Sequence, residues 1–368
     1  MPHNEPPTTN YEPFSRRTNW HPQPNRLSLA RTRHPHALDL TLSNPTKASL
    51  PYPLDELSAI MARAARAAYE PEPLGLPAAR EAVARQLGCD GREIAITAST
   101  SEAYSFLFKL LCDPGDNVLT PTPSYPLLEH LAAMEMVELR HFPLEFHRRW
   151  EIDPSRIAAD GRTRAIIVVN PNNPTGSFVT DSEQKAIAAL GLPVISDEVF
   201  LDYPLDGRGI SFAGAYALGG LSKSAGLPHY KLGWIRVPDR AAMAALELIA
   251  DNFLSVATPV QVALPEILAL APRIREAIAE RTRTNLAAAR RLVGGAAQLL
   301  PVEGGWSAVI RLPRTMTDEE LALDALERLG VVIHPGYFFD FERDGYFVVS
   351  LLTPCEVFAD GLSRILAS

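Results

Sequence analysis

Between Ile94 and Val237 the chain alternates short apolar runs with stretches whose apolar residues recur at helical spacing. The runs are IAIT, NVLT, AIIVV, PVIS and GWIRV, and the helical stretches include SEAYSFLFKLL and DSEQKAIAAL. A strand that is apolar at every position, rather than at every second one, is covered on both faces, which is the habit of parallel sheets flanked by helices. An α/β unit around a buried, mostly parallel sheet is therefore predicted.

On either side the rhythm differs. The first fifty or so residues carry Pro2, Pro6, Pro7, Pro13, Pro22, Pro24, Pro35 and Pro45, which resist helix and central strand and predict an extended arm. Helices are predicted over Asp55–Ala68 and Pro77–Leu87, the second with proline in its first turn. Downstream, Arg240–Ala250 and the Ala-rich Val262–Arg291 read as helices, the latter long enough to bridge two domains. SAVIRL and YFVVSLL then read as strands, and DEELALDALERL and EVFADGLSRIL as helices, which suits a small α+β domain. The predicted division is an arm with part of the small domain over 1–45, a large domain over 46–265 and a small domain over 266–368; no internal repeat is evident.

Composition narrows the function classes. A length of 368 residues exceeds one ordinary core and favours two domains with a cleft between them. Apolar residues at 46 % and charged residues at 21 % place the chain among globular proteins rather than disordered ones. The net charge of -8 offers no footprint for nucleic acid or an anionic membrane, so the expected partners are small molecules. Cys89, Cys112 and Cys355 are odd in number and far apart, with no C-x-x-C pair, which suggests neither disulfides nor zinc and fits a reducing compartment. The histidines, His229 and His334 among them, are too scattered for a metal site. With no signal-type apolar segment and no run approaching about 18 apolar residues, a cytoplasmic protein is expected.

Candidate chemistry sits just after the predicted strands, where open α/β sheets collect ligands. NPNNPTG follows AIIVV, DEVF follows PVIS, SKSAGLPHYKLGW follows ALGGL, and PTPSYP follows NVLT. Asn173, Asp197 and Lys223 together match the needs of an aromatic aldehyde cofactor. An amine can attack the carbonyl if burial or a neighbouring cation keeps it neutral, since a free lysine titrates near about 10.4. A carboxylate can pair with a pyridinium nitrogen and keep the ring an electron sink. Asn173 can donate to a ring oxygen, and Tyr125 can stack on the ring face. Each alone has a plain reading: a solvated lysine, an acidic cap after a strand, an Asx turn, a core aromatic. Their order on successive strand ends favours chemistry.

On these motifs the chain resembles fold-type I pyridoxal 5'-phosphate (PLP) enzymes of the aspartate aminotransferase family, class I/II, over roughly residues 40 to 360. The resemblance implies a three-layer α/β/α large domain with a mostly parallel sheet and a smaller α+β domain. It makes Lys223 the Schiff-base lysine and proton shuttle, Asp197 the partner of the ring nitrogen, Asn173 of the ring oxygen and Tyr125 of the ring face. The phosphate is implied at Ser99, Thr100 and Ser101, where a helix begins, with Ser222 and Lys231 beside it. Tyr69 resembles a tyrosine that reaches the phosphate from a partner subunit, implying a homodimer with shared sites. Asn44 and Trp306 resemble positions that bind substrate.

Three departures from the family pattern stand out. Lys231 replaces an arginine and loses the bidentate fork, Phe200 replaces a tyrosine, and Val348 falls where an arginine usually clamps the substrate carboxylate. Arg16, Arg17, Arg26, Arg311 and Arg343 are the candidates to replace that clamp. The implied reaction is ping-pong transfer of an amino group between an amino acid or amine and a 2-oxo acid. Lyase, decarboxylase or cyclase chemistry on an amino acid, and a catalytically inert PLP-binding regulatory protein, are the alternatives.

Overall fold

The structure, a computed structural model, describes residues 14–313 and 315–367. Among the described residues the largest sheet has eight strands. Their order is Ile94–Thr97, Gly233–Arg236, Tyr216–Gly220, Val194–Asp197, Thr163–Val169, Asn117–Thr122, Glu138–Phe146, Trp150–Ile152. The neighbours from Tyr216–Gly220 to Glu138–Phe146 run parallel. Gly233–Arg236 is antiparallel to both of its neighbours, and Trp150–Ile152 closes the far edge antiparallel.

The apolar run AIIVV within Thr163–Val169 has its explanation in the two layers around it. Ala165 and Ile167 pack with Tyr104, Leu107 and Leu246 on one face. Ile166 and Val168 pack with Phe142, Ile187 and Val194 on the other, as the two-residue period of a strand demands. Helices start where the sequence supplies caps. Ser99 Oγ accepts from the Glu102 N–H at 3.2 Å to open Thr100–Leu111, and Thr180 and Glu183 form a reciprocal capping box before Asp181–Ala188.

The helix Thr258–Leu292 spans 35 residues and contains Pro265 and Pro272. Each internal proline costs roughly 3 kcal/mol. Leu264, Ile267, Ile274 and Ile278 are buried against Ile94, Ile96 and Trp234, at roughly 1.5–3 kcal/mol apiece, which offsets that cost. Further along, Leu286, Ala288 and Ala289 enter a second core with Ile310, Phe347 and Phe358. This second core lies on a four-stranded antiparallel sheet in the order Gln298–Leu299, Ser307–Arg311, Tyr346–Ser350, His334–Pro335. The helices Asp318–Glu327 and Cys355–Leu366 pack on it.

Several elements differ from the sequence reading. The Pro-rich start is not extended throughout: Arg26–Arg33 is a helix, capped by Asn25 Oδ1 accepting from the Ser28 N–H at 2.7 Å. Prolines are absent between Pro24 and Pro35, and Leu27 and Ala30, three residues apart, bury against the second core. Leu38–Asp39 then pairs in parallel with Val331–Val332. The stretch 1–13, with Pro2, Pro6, Pro7 and Pro13, lies outside the described residues. The helix expected over Asp55–Ala68 ends at Ala64, its last buried residue, and the one expected over Val262–Arg291 starts earlier, at Thr258. Among the described residues, no helix is long and apolar enough to cross a membrane.

Candidate active site

The carboxyl ends of the central strands converge on a cavity of about 180 Å³. Thr100, Ser101 and Tyr104 line it from one helix, Tyr125 and Asn173 from two strand-end loops, and Asp197, Ser222 and Lys223 from the neighbouring strand ends.

Lys223 sits on the single helical turn Leu221–Ser224, directly after Tyr216–Gly220. The turn is pinned from both sides. Tyr203 Oη donates to the Lys223 carbonyl at 2.6 Å, and Ser224 Oγ donates to the Gly220 carbonyl at 2.9 Å. The amine lies 5.0 Å from the Trp306 ring centre and 5.3 Å from that of Phe200. Burial lowers its pKa below the ordinary 10.5, with Asp197 pulling the other way, so the neutral form is reached at lower pH than for a surface lysine.

Asp197 ends its strand and is 8 % exposed. Its Oδ2 accepts from Tyr104 Oη at 3.0 Å and its Oδ1 from the Val199 N–H at 3.2 Å. Burial raises its pKa above the ordinary 3.8, and the two hydrogen bonds and Lys223 oppose the rise.

Within NPNNPTG the three asparagines divide their work. Asn170 ties backbone to backbone through Ile210 and Val179. Asn172 donates to the Pro123 carbonyl at 3.0 Å and so anchors the loop that carries Tyr125. Asn173 alone of the three borders the cavity, where Ser307 Oγ donates to its side-chain carbonyl at 3.2 Å.

At the end of the cavity nearest the helix Thr100–Leu111, Thr100 and Ser101 bring hydroxyls and first-turn amides of a 12-residue helix to the cavity wall. Gly233 makes room for them. A Cβ there would stand 2.9 Å from the Ser99 carbonyl carbon and 3.0 Å from the Thr100 nitrogen, so only glycine lets its strand pass under the helix start. Amine, carboxylate, aromatic face, amide donor and helix start thus surround one cavity, a donor set whose chemistry fits PLP.

Other expected residues are placed elsewhere. Ser99 does not line the cavity and spends its hydroxyl as the helix cap. Asn44 caps the short turn Pro45–Lys47, while its neighbour Ser43 borders the cavity. Lys231 is exposed, in a left-handed backbone conformation, outside the lining. Tyr69 is 66 % exposed beside a separate hollow with Phe106 and Gln261. Trp306 acts as a wall behind Lys223 and Phe200.

At the expected clamp position Val348 is buried with Val309, Phe339 and Phe341. Among the described residues, none of Arg16, Arg17, Arg26, Arg311 and Arg343 lines the cavity. Arg26 pairs with Glu319 at 3.0 Å, Arg17 donates to the Met134 carbonyl, and Arg311 donates to Gln298.

The sequence reading does not single out Tyr104, Ser43, Ser307 or Tyr203. Only Tyr104 leaves a trace there: it follows Thr100 by four positions and Ser101 by three, hence shares their helix face.

A nicotianamine aminotransferase of Oryza sativa subsp. japonica is 36 % identical over 224 residues, covering 54 % of this chain and 45 % of the relative. An S-alkyl-thiohydroximate lyase of Arabidopsis thaliana is 35 % identical over 221 residues, covering 53 % and 48 %. The chain thus spans about half the length of the curated relatives it matches. Among solved structures, a single mutant of Thermus thermophilus aspartate aminotransferase superposes with a TM-score of 0.83 at 22 % identity, covering 96 % of this chain and 99 % of that one, and so shares the fold. The family model for aminotransferase class I and II matches residues 44–357, and the chain belongs to that family, whose members use pyridoxal 5'-phosphate.

Proposed function

We propose that the protein is a PLP-dependent aminotransferase that moves an amino group between an amino acid or amine and a 2-oxo acid in two half-reactions. The observation that carries this reading is that an amine, Lys223, and a buried carboxylate, Asp197, line the same cavity, with burial lowering the pKa of the first and raising that of the second. When bound, PLP supplies the carbonyl and the electron-withdrawing ring that the chemistry requires.

The chain's own residues do the rest. Lys223 would hold the cofactor through its amine and, once displaced by a donor, move a proton at the substrate carbon, a task suited to an amine whose pKa burial lowers. Asp197 would accept from the ring nitrogen, Asn173 would meet the ring oxygen, and Tyr125 would cover the ring face. Thr100, Ser101 and Ser222 would hold the phosphate, with Lys231 contributing long-range charge. Phe200 and Trp306 flank Lys223.

The deciding experiment mixes PLP-loaded protein with single amino donors, without acceptor, and follows the cofactor spectrum. A stoichiometric spectral change that a 2-oxo acid reverses is the expected result. Continuous product release with no acceptor would instead favour lyase chemistry, a reading supported by the Arabidopsis relative. A loaded protein inert to every amine would favour a regulatory role.

The division into an arm over 1–45, a large cofactor-binding part over 46–265 and a small part over 266–368 is our reading of the two cores. We also infer a cytoplasmic homodimer in which Tyr69 of the partner subunit reaches the phosphate. Tyr69 and Phe253 are both more than half exposed, as residues awaiting a partner surface would be. Sedimentation velocity should give twice the mass of the chain, and Tyr69→Phe should weaken PLP binding by about 10-fold, the loss of one hydrogen bond to a charged group. A monomer, or unchanged affinity, would refute the arrangement. Fractionation of the source cells tests the location.

A further inference from the structure

Tyr104 is 3 % exposed and packs among Ala103, Leu107 and Leu218, with its ring 6.0 Å from that of Phe108. Phenylalanine would satisfy that packing equally well, and a hydroxyl in such surroundings is costly unless it finds an acceptor. The acceptor is Asp197 Oδ2, at 3.0 Å. On the other oxygen the Val199 N–H donates to Oδ1, so each carboxylate oxygen has one fixed donor and free lone pairs remain. Two donors on different elements, a helix and a strand-end loop, fix the carboxylate plane. The same helix that brings Thr100 and Ser101 to the cavity brings the Tyr104 hydroxyl one turn later.

We propose that Tyr104 is a positioning residue, whose hydroxyl holds the Asp197 carboxylate in the orientation that accepts from the cofactor ring nitrogen. The inference rests on the reading of Asp197 as the ring partner. It assigns to the helix Thr100–Leu111 two tasks at once, seating the phosphate by its first turn and aligning the ring partner by its second. Lys223 and Tyr125 also face Asp197 electrostatically, but neither has a hydrogen bond to it among the described residues.

The test is an equilibrium titration of apoprotein with PLP in the wild type, Tyr104→Phe, Asp197→Ala and the double variant. Tyr104→Phe should raise the dissociation constant about 10-fold or more, the scale of a hydrogen bond to a charged group. On the Asp197→Ala background the same change should alter it less than about 2-fold, because the coupled partner is gone. Equal affinity of wild type and Tyr104→Phe would overturn the proposal. So would an equal loss on both backgrounds, which would mean that the hydroxyl acts through helix packing alone. If the wild type takes up no PLP, the cofactor reading itself falls first, whereas loss of the coupling with wild-type uptake intact sinks only the role of Tyr104.

Discussion

Replacing Lys223 with alanine is expected to lower transamination by about 10⁴-fold or more, because proton transfer by a positioned side chain alone accounts for roughly 10²–10⁴ and the covalent role is lost with it. The protein should nevertheless fold, since Lys223 is held through its backbone carbonyl by Tyr203 and, among the described residues, its amine has ring contacts with Phe200 and Trp306 alone. Borohydride treatment of the PLP-loaded wild type, followed by peptide mass analysis, should find the cofactor on the peptide containing residue 223. Attachment should be efficient at pH values where surface lysines remain charged, because burial lowers this amine's pKa and the neutral form is the nucleophile. Labelling spread over several lysines, or activity surviving in Lys223→Ala, would end the proposal.

Asp197→Asn should separate activity from stability. Activity is expected to drop about 10²–10³-fold, the usual cost of removing one preorganised charged group from a site. Apoprotein stability should move the other way. Burial raises the folded-state pKa of Asp197 above 3.8, so the folded state holds its proton more tightly than the unfolded chain does. Stability therefore declines as pH rises through the range in which this carboxyl ionises, so ionisation of the buried group opposes folding. The amide removes that opposition, and thermal unfolding of the Asp197→Asn apoprotein at pH 7 should occur at a higher temperature than that of wild type. By the same sign, PLP uptake by the wild type should weaken on acidification beginning above the ordinary carboxylate range. A variant with lower stability and unimpaired activity would contradict both halves of this account.

Much of the fold was legible because burial on two faces writes itself into composition. Ile94–Thr97 and the helix Pro77–Leu87 have the limits read from the sequence, the latter marked by Pro77 at its start and Gly88, at φ +67°, after its end. The strand Glu138–Phe146, next to the far edge, was not legible, since half-exposed residues and Pro143 interrupt its apolar pattern. Nor does any local signal reveal that Gly233–Arg236 inserts antiparallel between Ile94–Thr97 and Tyr216–Gly220, a matter of tertiary pairing.

The cavity residues divide similarly. Lys223, Asp197 and Asn173 stood out as polar residues just after apolar runs. Ser99 looked like a ligand because caps and anion sites use the same residue types at the same place. Tyr104 was hidden because an aromatic residue in an apolar helix reads as core, which its ring is; only the hydroxyl belongs to the site.

The 35-residue helix Thr258–Leu292 has a consequence for how the molecule comes apart. Its first half roofs the core beside the eight-stranded sheet and its second half the core beside the four-stranded one. A cut within it would strip cover from both, so neither portion is a self-sufficient folding piece, and the pocket at the strand tips depends for its integrity on a rod that touches it nowhere.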